Sequence, residues 1–207
     1  MARFLLATMP MVGHVNPGLP IARRLVARGH EVRWYTGRRF REKIEATGAR
    51  FEPMREAHDY DDRDLNAAFP ERKKLAGING LRHDLKHVFI DPIPGQMADL
   101  RAILRAFQAD VVAADTGFVG ATMLHQLGEA PPVAVFSSTI TSLKSRDTAP
   151  FGLALPPGSS PLGRLRNRAL DWAVNRIIFW DVNAYASAMR RRIGVPTTRR
   201  GIYETSL

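Results

Sequence analysis

The stretch that decides the fold is RFLLATMPMVGHVNPGLPIARRLVARGHEVRWYT, residues 3–36. It opens on an apolar run over residues 3–8, the pattern of a strand buried on both faces of a parallel sheet. Helix signals follow. Asn16 is a capping residue type, and Pro17 suits the first helical position, where a missing N–H is no loss. Ile21, Leu25 and Val26 then share one apolar face. Gly29 stops the helix, and EVRWYT (31–36) is the next strand. This is one strand–helix–strand unit, expected to cross over right-handed.

The same grammar continues along the chain. Residues 37–48 read as a helix ended by Gly48, and 50–54 as a short strand. Residues 55–80 are polar and weakly periodic, a long loop with helical pieces. Residues 81–107 have helical spacing broken near Pro92 and Pro94. ADVVAAD (109–115) reads as a buried strand, 118–128 as a helix and 131–138 as another strand. Residues 139–161, rich in Ser, Thr, Pro and Gly, form a loop long enough to suggest function. Residues 162–193 read as one long helix or two in succession. The alternation predicts an α/β fold: a doubly wound, mainly parallel sheet with helices on both faces, in a single domain over 1–207.

Composition narrows the function classes. The chain has 207 residues, 45% hydrophobic and 24% charged, ordinary for a globular protein. With no cysteine, disulfides and thiolate metal sites are excluded. No apolar run approaches the roughly 18 residues that span a bilayer, and the N-terminal run is too brief for a signal peptide. These points predict a cytoplasmic protein without stable membrane insertion. The formal charge is +10, carried by 25 Arg against 5 Lys. The basic clusters are scattered and match no nucleic-acid module, so solvated helix faces or an acidic partner domain explain them better than nucleic acid. A G-x-G-x-x-G turn after the first strand, a G-x-x-x-x-G-K-[ST] loop and a G-x-S-x-G elbow are all missing. Their absence weakens dinucleotide, P-loop and α/β-hydrolase readings.

Open α/β sheets bind ligands outside the carboxyl ends of their strands. His14 falls there, just ahead of a helix N-terminus whose positive dipole end disfavours imidazolium and favours a ring ready to accept a proton. Gly13 removes bulk beside it. Asp115 falls at the equivalent end of a later strand. Two uses are open to it: orienting His14 as the acidic half of a dyad, or capping the helix that follows. His83 and His87, four apart, can share a helix face as zinc ligands do, but spacing supplies no third ligand, so no metal is expected. His30 reads as structural, His125 as a helix-surface or core residue, and His58 as part of a solvated acidic loop, AHDYDDRD, with metal binding a minor alternative.

GHVNPGLPIARRLVARGHEVRWYTG and ADVVAADTGFVGA resemble the N-terminal domain of the UDP-glycosyltransferase family, GT-B fold enzymes, and most of all the bacterial macrolide and natural-product members. The resemblance implies a Rossmann-like acceptor-binding half of an inverting enzyme that moves a hexose from a UDP- or TDP-sugar to a hydroxyl of a small lipophilic acceptor. It implies His14 as general base, Asp115 as its partner, and no cofactor or metal. It places Ser137 and Ser138, with Gly13, near the donor sugar, and lets Met54, Phe89, Phe118 and Phe151 line the acceptor pocket, although plain core packing accounts for those four equally well. The family's glycine- and histidine-rich donor signature is missing, so the expectation is a chain that lacks the donor-binding domain and is inactive without a donor-domain partner. The alternative is a non-catalytic module that binds a small molecule or accompanies an intact glycosyltransferase.

Overall fold

The computed structural model describes residues 1–137, 145–150 and 153–197. Among these, β1 (Arg3–Ala7), β2 (Glu31–Thr36), β3 (Arg50–Pro53), β4 (Val111–Asp115) and β5 (Val133–Phe136) form one sheet. All neighbouring strands pair parallel, in the order β3-β2-β1-β4-β5. The order reverses direction between β1 and β4. That is the switch point of a doubly wound sheet, where the loops leaving two adjacent strands part and open a crevice.

Side-chain alternation gives the sheet two cores. On one face Leu5, Ala7, Tyr35, Val112 and Ala114 pack with α6 (Ile93–Ala106) and α7 (Val119–Gln126). On the other, Leu6, Val32, Trp34 and Ala113 pack with α2 (Gly18–Ala27) and α3 (Arg41–Glu45). Each large side chain withdrawn this way contributes about 1.5–3 kcal/mol. Trp34 is fully buried and satisfies its indole N–H on Thr8 Oγ1 at 3.1 Å. A Cβ on Gly18 would sit 2.7 Å from the Trp34 ring, so this glycine lets α2 begin directly on the sheet.

The helix after β1 starts earlier than the sequence suggests. Its first turn, α1, is Val12–Val15, with Met11 extended at the N-cap position. Asn16 lies in the right-handed helical region at the C-terminal end of α1 and caps no helix start. The Val12 N–H is instead taken by the Asp62 carboxylate, at 2.7 Å, from a loop fifty positions away. Pro17 and Pro20 each remove an N–H from the helical ladder, which accounts for the break between α1 and α2. His14 therefore sits within a helical turn rather than in a loop preceding one.

The acidic run around His58 is solvated only in part: His58, Arg63 and Asp64 are exposed, while Ala57 and Tyr60 are buried. Asp59 accepts the Arg38 N–H at 3.2 Å, Asp62 holds α1, and His58 packs edge-on to Tyr60 and Phe69. The loop leaving β3 is pinned from below by Asp99 of α6. This buried carboxylate accepts the Tyr35 hydroxyl at 2.7 Å and the N–H groups of Arg55, Glu56 and Ala57 at 3.0–3.2 Å. Burial and the Asp99 carboxylate push the Tyr35 phenol far above its ordinary range.

Beyond the loop come α4 (Leu65–Ala68) and α5 (Gly77–Asp84), which runs into a π-helical turn over Leu85–Ile90 before α6. A second π-helical turn, Val174–Ile178, divides α8 (Pro161–Ala173) from α9 (Trp180–Arg192), so the long C-terminal segment is two helices. Trp172 and Trp180 are exposed there, whereas Phe179 is partly buried against the core. No helix among the described residues is long and apolar enough to cross a membrane.

Candidate active site

The switch point brings the two singled-out residues together. β1 ends, the chain turns through Thr8–Met11, and α1 carries His14 back over the carboxyl end of β4. There His14 Nδ1 lies 2.5 Å from Asp115 Oδ1. The Asp115 side chain is fully buried, while 17% of the His14 side chain stays exposed. The backbone completes the carboxylate's environment: Oδ2 accepts the Met9 N–H and Oδ1 the Gly117 N–H, both at 2.8 Å.

This arrangement fixes the tautomer. A carboxylate only accepts, so Nδ1 is the nitrogen that carries the ring proton. The lone pair is then on Nε2, which has no hydrogen-bond partner among the described residues. The site is thus an imidazole anchored at one nitrogen and open at the other. The capping alternative for Asp115 accounts for only part of the contacts. α7 starts at Val119 with Phe118 at its N-cap position and no side-chain cap, and Asp115 ties the turn between strand and helix through Gly117.

The other singled-out residues divide. Phe89, on the π-helical turn, presents its ring 5.9 Å from the His14 ring, an apolar wall beside the imidazole. π-turns recur at functional sites because the extra residue re-aims a side chain. Met54 and Phe118 do not line this site: they are 2% and 1% exposed, and Phe118 packs edge-on against Tyr35 in the sheet core. Gly13 is exposed beside His14, with nothing within 4 Å of where a Cβ would be. Ser137 is exposed just past Phe136, the β5 residue paired with Asp115, on the same rim of the sheet. Ser138 and Phe151 lie outside the described residues.

His30 is structural, accepting the Ala2 N–H at 3.2 Å, and His125 is on the α7 surface near the Ala130 carbonyl. The His83 and His87 rings do meet on one helix face, with centroids 4.5 Å apart and planes tilted by 52°. Among the described residues, however, no group of three or more potential ligands is arranged to hold a metal ion. They border a cleft of about 570 Å³ shared with Glu56, His58, Phe69 and Asp91, a lining rich in titratable groups. Two contributors to the dyad escaped the sequence reading. Asp62 caps α1 across the fold, and Gly117 meets both His14 and Asp115. Only the D-x-G spacing of Asp115 and Gly117 offered a sequence signal.

Comparison with known proteins places the fold that carries these residues. Residues 4–135 match the glycosyltransferase family 28 N-terminal domain. The 4'-demethylrebeccamycin synthase of Lentzea aerocolonigenes is 47% identical over 203 residues, covering 98% of this chain and 48% of that protein. UDP-glycosyltransferase 2 of Phaeomoniella chlamydospora is 37% identical over 202 residues, 93% of this chain and 44% of its own. The chain thus spans about half the length of the curated relatives it matches. Among solved structures, the kitacinnamycin glycosyltransferase superposes with a TM-score of 0.63 at 20% identity, over 99% of this chain and 43% of that one. A calicheamicin glycosyltransferase superposes with a TM-score of 0.58 at 16% identity, over 99% and 44%. These structures share the fold, the Rossmann-like α/β half of a GT-B glycosyltransferase. With its switch-point sheet and a family match over more than half its length, the chain belongs to the glycosyltransferase family 28 N-terminal domains.

Proposed function

We propose that this chain supplies the acceptor site and the general base of an inverting sugar transfer from a UDP- or TDP-sugar to a small lipophilic, natural-product-like acceptor. The observation that carries the reading is the 2.5 Å contact between His14 Nδ1 and buried Asp115, which leaves Nε2 open on a ring flanked by Phe89. In the proposed step Nε2 takes the proton from the acceptor hydroxyl. The freed oxygen pair forms the new bond to the anomeric carbon. The bond from that carbon to the diphosphate oxygen breaks on the opposite side, and the nucleoside diphosphate leaves with its electrons. One displacement inverts the anomeric centre.

Asp115 balances the imidazolium as it forms, and its two backbone donors keep it from following the ring. Proton and charge are both handled by these side chains, so the reading assigns no role to a metal ion. Gly13, Ser137 and Ser138 are the proposed contacts near the donor sugar, and Phe89 the apolar contact for the acceptor. The nucleotide-sugar itself is assigned mainly to a donor-binding half, consistent with relatives about twice this length.

The test supplies a donor-binding half, for example that of the 47% identical relative, and assays hydroxylated aromatic aglycones with UDP- and TDP-sugars. Transfer is expected, with little or no turnover by the 207-residue chain alone. His14→Ala is expected to lower turnover by about 10²–10⁴-fold, the loss typical of a missing general base. An unchanged rate removes His14 from the mechanism, and robust turnover by the isolated chain overturns the division of labour.

A further inference from the structure

The dyad is built against a residue with no side chain. Gly117 follows Asp115 by two positions, and its N–H donates to the same Oδ1 that meets the His14 ring. A Cβ placed on Gly117 would lie 2.7 Å from His14 Cε1 and 3.0 Å from both His14 Nδ1 and Asp115 Oδ1. Carbon atoms do not approach to 2.7 Å without something moving. Asp115 is held by two backbone N–H groups and is fully buried, so it is the less free of the two to move. The ring, partly exposed and anchored at a single nitrogen, is what has to give.

The backbone does not explain this glycine. Gly29, Gly48, Gly77, Gly128 and Gly194 adopt positive φ, where glycine is favoured, and Gly117 does not. Gly13 supplies the contrast on the other side of the ring: a side chain there would enter open space. What Gly117 provides is room for the imidazole at the distance the carboxylate requires.

We infer that Gly117 is a positioning residue, the seat that lets the His14 ring lie flat enough against Asp115 to hold its Nδ1 proton and present Nε2. The inference rests on the dyad reading above, and the tests separate the two. In the full chain, two-bond proton–nitrogen NMR spectra are expected to show His14 protonated at Nδ1. In Gly117→Ala that signature is expected to be lost or replaced by a mixture of tautomers. An unchanged His14 signature overturns the inference.

A double-mutant cycle on thermal stability supplies a second readout that needs no spectrum from a weakened variant. Gly117→Ala is expected to lower the melting temperature in the wild-type background and to lower it distinctly less in His14→Ala, where the ring is gone. Equal losses in both backgrounds overturn the inference. If Gly117→Ala does not fold, recovery of folding in the double variant supports the seat, and failure of both overturns it. With a donor half supplied, a ring displaced by an ångström is expected to lower turnover by about 10²-fold. Full turnover with a displaced ring would leave the seat standing and defeat His14 as the base.

Discussion

Among the described residues two His–Asp contacts are shorter than 3 Å, and they are not alike. His14 and Asp115 meet at 2.5 Å across 101 positions, a helical turn to a strand end, with side chains 17% and 0% exposed. His87 and Asp91 meet at 2.7 Å, four residues apart on the π-turn and its end, with side chains 41% and 39% exposed. The pairing chemistry is the same. The difference lies in what holds the acid. Asp115 is fixed by two main-chain donors and withdrawn from water, so it has one free task, the imidazole. Asp91 divides its oxygens between His87 and the Tyr185 hydroxyl at 2.5 Å and is open to solvent. A contact distance alone does not make a site; the environment of the carboxylate does.

Removing each acid in turn is the harshest way to break this comparison. Asp115→Ala leaves the Met9 and Gly117 N–H groups without partners, at a cost on the order of 3 kcal/mol in all. It also frees His14 to turn, so sugar transfer with a donor half supplied is expected to fall by about 10²–10⁴-fold. Asp91→Ala is expected to change stability by no more than about 1 kcal/mol, as exposed pairs do. Urea unfolding of the two variants decides. Equal losses would mean that burial does not separate the pairs.

How much of this was legible in the sequence follows from the same physics. The apolar runs FLLA and VVAA are buried on both faces, so their strands, and the parallel sheet they imply, could be read directly. His14 and Asp115 were legible because each falls at the carboxyl end of such a strand. Met54 and Phe118 were not. An apolar residue next to a strand end fits a pocket wall or a core equally well, and only the three-dimensional packing decides; both turned inward. Asn16 carried a capping signal that the fold overrode, because the chain is already helical from Val12 and Asn16 lies in the right-handed region rather than the extended one a capping residue needs. Gly117 was illegible for a related reason: its constraint comes from a ring more than a hundred positions away, not from its own backbone.

A milder intervention sharpens the contrast from the histidine's side. Asp62 caps α1 in trans and is ion-paired with Arg39, whereas the π-turn carrying His87 has no side-chain cap and is tied instead to α9, through Lys86–Asp181 and Tyr185–Asp91. Asp62→Ala is expected to cost about 1 kcal/mol, the usual loss of a helix cap, and to loosen the turn that positions His14. Hydrogen exchange is expected to quicken at Val12 and its neighbours and to stay unchanged over 85–90. Protection unaltered at Val12 would show that the cap is dispensable.

The smallest effect concerns the open pair. Asp91 accepts the Tyr185 hydroxyl, and that hydrogen bond, with some burial and the carboxylate's charge, pushes the phenol up from 10.0 to about 12. The unfolded chain therefore releases this proton first as pH rises. The contribution to stability is fully present below about pH 10, the ordinary tyrosine value, and is lost as pH climbs through about 12. Asp91→Asn removes the negative charge and is expected to bring Tyr185 back toward its ordinary range. Ultraviolet absorbance of tyrosinate reads this in a Tyr60→Phe, Tyr203→Phe background, where Tyr35, pushed far higher mainly by burial, stays silent. An alkaline titration unmoved by Asp91→Asn would mean that the carboxylate does not hold Tyr185. In that case Asp91 would be as free to serve His87 as Asp115 is to serve His14, and burial and the two main-chain donors on Asp115 would be what still distinguishes the pairs.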